Sequence, residues 1–88
     1  MKLYNFKFLD DKSQAEVILN YGVLIAARLY KDLIIQLYQI DSFYVEVYYN
    51  SIFKMIQGIN SFDNLTRLEP YLSSIDISFI NYFQQREK

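Results

Sequence analysis

The chain has 88 residues, 52% apolar and 18% aromatic, with a net charge of −1; that is one domain with one small core. It contains no Cys and no His, which excludes disulfides, the usual zinc ligands and the Cys–His and Ser–His nucleophilic pairs. Its nine cations are scattered among ten acids, leaving no basic stripe for nucleic acid, and no apolar run reaches the roughly 18 residues of a membrane span.

Residues 3–9 alternate, with Tyr4, Phe6 and Phe8 against Asn5 and Lys7, and this period of two predicts a short strand. Ser13-Gln14-Ala15-Glu16 fits a capping box, and Ala15, Ile18 and Leu19 form one apolar stripe. Together they predict a helix over 14–21, ended by Gly22 in the left-handed conformation. Such a short helix must dock on something.

From Val23 the period returns to two. Residues 23–30, 33–40, 43–49 and 52–61 read as strands rich in β-branched and aromatic residues. Polar turns separate them at Lys31-Asp32, Asp41-Ser42 and Asn50-Ser51, which makes an antiparallel meander. Gly58 inside the last strand marks a bulge or a close backbone approach. Pro70 interrupts the helical spacing of Leu65, Leu68, Leu72 and Ile75. The expectation is a turn at 65–69, a helix from Pro70 to Ser74, and another helix opened by Asp76.

The fold class expected is therefore α+β: an N-terminal strand, a capped helix, a four-stranded meander and one or two C-terminal helices. One sheet face is expected to be aliphatic and covered by the helices. The expected core is Ile18, Leu19, Val23, Ile25, Leu37, Val45, Val47, Ile56, Leu68 and Leu72. Simple alternation puts Arg28, Tyr30, Gln36, Tyr38, Tyr44, Glu46 and Tyr48 on the other face, with Lys54 beside them. Tyr and Arg are enriched at protein interfaces, so Arg28, Gln36, Tyr38, Tyr44, Glu46 and Tyr48 are the candidate interaction residues. An ordinary half-exposed sheet face is the competing reading. Arg28 and Glu46 are the one opposite-charge pair there, expected to be solvated and loosely paired because a strand lies between them.

Several blocks resemble a family of small bacterial proteins with no assigned activity: Gly22-Val23 leading to Arg28, Leu37-Tyr38, Asp41, the run Phe43-Tyr44-Val45-Glu46-Val47-Tyr48-Tyr49, Phe62, and Leu68-Glu69-Pro70-Tyr71-Leu72 running into Ile75-Asp76-Ile77. The resemblance implies a stand-alone domain built on one sheet and transfers no activity.

Chemistry is hard to place on this chain. Glu46 has no second titratable group to work with, Asp10-Asp11 are adjacent turn acids, and two glycines cannot cradle a phosphate. The expectation is a non-enzymatic interaction module without cofactor or metal, homodimeric through the tyrosine-rich face or a sheet edge. The alternative is a small dedicated inhibitor, of the immunity-protein or antitoxin type, that binds one protein target. Residues 1–8 lack a signal-peptide core, so a cytoplasmic location is expected.

Overall fold

The computed structural model describes residues 1–72. The elements are α1 (Leu3–Lys7), α2 (Asp11–Tyr21), β1 (Val23–Tyr30), β2 (Leu33–Ile40), β3 (Phe43–Asn50), β4 (Met55–Phe62) and a 3-10 helix over Leu65–Tyr71. The strands form an antiparallel meander in the order β1-β2-β3-β4, so the α+β class and the four-stranded sheet stand as expected. Among the described residues no helix is long and apolar enough to cross a membrane.

The N-terminal segment corrects the first expectation, because residues 3–7 are helical rather than extended. Leu3, Phe6 and Leu9 all turn towards the core cluster of Ile18, Ile40, Phe43, Val45 and Val47. Tyr4 and Phe8, one turn apart, pack edge to face on the exposed side at 4.9 Å. The next helix starts earlier than the capping box suggests. Asp10 is the cap, its carboxylate accepting a hydrogen bond from the Ser13 N–H at 2.8 Å, which leaves Ser13 inside the first turn. The Gln14 side chain donates to the Phe6 carbonyl at 3.0 Å and ties the two helices together.

Gly22 ends α2 with φ −75° and ψ 139°, an extended and not a left-handed conformation. Glycine is needed here for space: a Cβ would lie 2.6 Å from the Ile18 carbonyl oxygen and 3.2 Å from the Tyr38 ring. The oxygen belongs to the helix backbone and cannot swing aside. Gly22→Ala is therefore expected to cost about 1–3 kcal/mol by overpacking, measured as a lower denaturation midpoint at unchanged slope.

Both two-residue loops turn on a left-handed residue, Lys31 at φ 54° and Asp41 at φ 50°. Ile40 then lies opposite Phe43, and Tyr30 opposite Leu33. The third connection is longer than expected. The Asn50 side-chain oxygen accepts from the Ile52 and Phe53 N–H groups, both at 2.9 Å, so residues 51–54 form the loop and β4 begins at Met55. Lys54 belongs to that loop and not to a sheet face. The register between β3 and β4 shifts at Tyr48/Tyr49, where β4 skips Gln57 beside Gly58, so the expected bulge is present.

The sheet is sandwiched, with apolar side chains on both faces. α1 and α2 lie on the first face over Ile40, Phe43, Val45 and Val47. The 3-10 helix lies on the second face, where Leu68 and Tyr71 pack against Ile35, Leu37, Tyr44 and Phe62. It replaces the predicted turn and carries Pro70 inside it. The expected helix from Pro70 to Ser74 is described only as far as Leu72, its first two residues being the end of the 3-10 helix, and the one expected from Asp76 lies wholly outside the described residues. Of the expected core, Ile18, Leu37, Val45, Val47 and Leu68 are buried, and Ile25 is half-buried. Leu19, Val23, Ile56 and Leu72 are exposed.

Candidate functional site

Register decides which candidate residues meet. Gln36 pairs with Val47 and Tyr38 with Val45, so Gln36 and Tyr38 sit on the first face, beneath α2. Arg28, Tyr44, Glu46 and Tyr48 sit on the second face, with Arg28 opposite Ile35, Tyr48 opposite Ile35 and Glu46 opposite Leu37. The six residues expected on one face are thus split four and two. Tyr38 makes its hydroxyl hydrogen bond to Gln36 Oε1 at 3.3 Å, away from the other four.

The second face is not an open contact surface. Tyr44 is buried and stacks on Phe62 at 5.8 Å. Glu46 is 3% exposed and is the hub of the face. Its Oε1 accepts from Tyr48 Oη at 3.1 Å and from Asn60 Nδ2 at 3.2 Å. Its Oε2 accepts from Tyr71 Oη at 2.5 Å and faces Arg28 Nη2 at 3.5 Å. The Arg28 guanidinium stacks on the Tyr71 ring, 5.2 Å from its centre. Arg28 reaches from β1 across β2 to Glu46 on β3, so the pair expected to be solvated is a largely buried one.

Burial by itself pushes the Glu46 carboxyl up. The hydrogen bonds from Tyr71, Asn60 and Tyr48 and the charge of Arg28 outweigh it and hold the group below its ordinary value. Burial, then the bond to Glu46, pushes the Tyr71 phenol up, so it stays a donor at any physiological pH. The network joins β1, β3, β4 and the 3-10 helix through one carboxylate. It is a fastening. Tyr71→Phe removes one charge-assisted bond and is expected to cost about 1.5–3 kcal/mol, read from urea unfolding.

An apolar groove and exposed apolar side chains lie on the first face. α2 crosses the sheet: Asp11, Lys12 and Ala15 border Ile56 and Gln57 of β4, while Gly22 rests on Tyr38 of β2. At about 16 Å for 11 residues, the helix matches the ~14 Å between the outer strands. α2 thus runs obliquely, from the far end of β4 towards the Asp41-Ser42 end of β2. One apolar row crosses all four strands, its β4 member lying against the first turns of α2: Leu29 opposite Ile34, Ile34 opposite Tyr49, Tyr49 opposite Ile56. Leu29 is 79% exposed and Ile56 51%. Between this row and α2 runs a groove of about 320 Å³, with Gln36, Val47 and Tyr49 lining it together with Ala15 and Leu19. Leu19 stands on its lip, 84% exposed. Ile52 and Phe53, in the loop that precedes β4, are exposed as well.

β1 borders the same surface and, among the described residues, is an edge strand of the sheet, eight residues long. Its exposed Val23, Leu24, Leu29 and Tyr30 carry neither the Lys nor the Pro that usually blunts an edge. Among the described residues, a bulge at Ile25 and the inward-turned Arg28 are its edge-blunting features. Sequence reasoning missed this surface because it assigned Leu19 and Ile56 to the core and did not follow the registers. Comparison with known proteins adds no relative: no family model matches the chain, and no curated protein or solved structure matches it significantly.

Proposed function

We propose that this protein is a non-enzymatic interaction module that associates with itself through the apolar row and groove of its helix-bearing sheet face, with the β1 edge alongside. One observation carries the reading: an apolar row spans all four strands next to an apolar groove, exposed at its Leu29 and Ile56 ends and half-buried at Ile34 and Tyr49 between them. Exposed apolar area that is contiguous, rather than scattered, marks a contact surface in soluble proteins. The tyrosine-bearing second face is the weaker candidate, since Tyr44 and Glu46 are already spent on internal packing.

Covalent footprinting with a carbene probe, at high and low protein concentration, tests the location. Leu19, Leu29, Phe53 and Ile56 are expected to be shielded at high concentration and labelled on dilution. Equal labelling at both concentrations would remove this face from consideration.

A further inference from the structure

We infer that the occupant of this row and groove is the α2 helix of a second copy, the two copies related by a two-fold axis running along α2; this rests on the self-association reading above. The first face is a step, high where α1 and α2 cover the sheet and low along the row Leu29, Ile34, Tyr49 and Ile56, whose ends are exposed and whose middle is half-buried. A two-fold axis along the edge of a step places the high half of each copy over the low half of the other. The contact is then isologous, each interaction occurring twice. It gives the exposed Leu19 side chain an apolar floor, and it covers the groove from above.

Charge complementarity supports the same pairing. The cap and helix of α2 carry three carboxylates, Asp10, Asp11 and Glu16, against one ammonium, Lys12. The loops at the end of the sheet next to the row carry Lys31 and Lys54 against Asp32. None of Asp11, Glu16, Lys31 and Lys54 has an ion-pair partner among the described residues. Because rotation about an axis along α2 keeps position along the helix, the part of α2 near β4 in one copy meets the β3–β4 loop of the other. Glu16, one turn before Leu19, therefore faces Lys54 of the second copy.

Reversing one charge tests this directly, since each change acts twice in a symmetric dimer. Homodimers of Glu16→Lys, and of Lys54→Glu, are each expected to dissociate roughly tenfold or more readily than the original chain. Mixing the two variants is expected to restore the dimer, as a heterodimer detected by native mass spectrometry of a size-tagged pair. A wild-type dimer whose variants show no preference for the mixed species would overturn this pairing and leave self-association standing. A wild-type monomer would overturn both readings. So would a monomer whose groove stays shielded from the probe at every dilution, which would assign the groove to residues 73–88 of the same chain.

Discussion

Glu46→Ala is expected to destabilise the fold by about 3–5 kcal/mol, more than any exposed substitution in the chain. The carboxylate accepts from Tyr48, Asn60 and Tyr71 and faces Arg28. Truncation leaves those donors with no acceptor in a site 3% exposed. Removing one member of a buried charged pair costs this much because the surviving charge is left desolvated and unpaired. For a domain of this size the loss lowers the melting temperature by more than about 10 °C at fixed protein concentration. Scanning calorimetry reads it, and a drop of only a degree or two would show that the network is loose.

The same carboxylate sets an acid dependence. Its folded pKa is depressed, while an unfolded Glu titrates near about 4.3. The stabilisation it contributes is therefore fully present above that unfolded value. It is lost as the pH falls through the lower, folded value. Glu46→Gln keeps the shape, removes the charge and should flatten this part of the stability–pH curve. Parallel curves for the two proteins below about pH 5 would contradict the assignment.

The second large effect concerns association. Leu29→Asp with Ile56→Asp places two carboxylates at the exposed ends of the row, four in a symmetric pair. Both side chains are exposed in the monomer, so the fold should lose less than about 1 kcal/mol per change. In a dimer the same carboxylates are buried without partners, a cost of several kcal/mol. The dissociation constant is expected to rise by more than about 100-fold. Unchanged circular dichroism with a monomeric mass is the expected result. An unchanged mass would place the contact elsewhere.

The strand order was legible because each hairpin loop is short, polar and flanked by β-branched residues. The face assignment was not, although the information was there. A two-residue loop sets Ile40 opposite Phe43, so even-numbered residues of β2 share a face with odd-numbered residues of β3. Gln36 and Tyr38 therefore could not accompany Tyr44, Glu46 and Tyr48. The bulge beside Gly58 then reverses the parity once more and brings Asn60 opposite Glu46. Residues 3–7 misled because Tyr4, Phe6 and Phe8 satisfy a period of two while Leu3, Phe6 and Leu9 satisfy a period near three. Only the docking of Phe6 on Phe43, at 5.4 Å, decides between them. Leu19 and Ile56 looked like core because apolar spacing records which side of an element is apolar, and not whether anything covers it. The buried Arg28–Glu46 pair was hidden for a related reason: the 3-10 helix that seals it lies far along the chain.

The measurement that bears most directly on the interaction reading is the solution mass by light scattering across a wide dilution series. A species of twice the 10.6 kDa chain that dissociates only on strong dilution is expected. A single 10.6 kDa species at every concentration would contradict that reading.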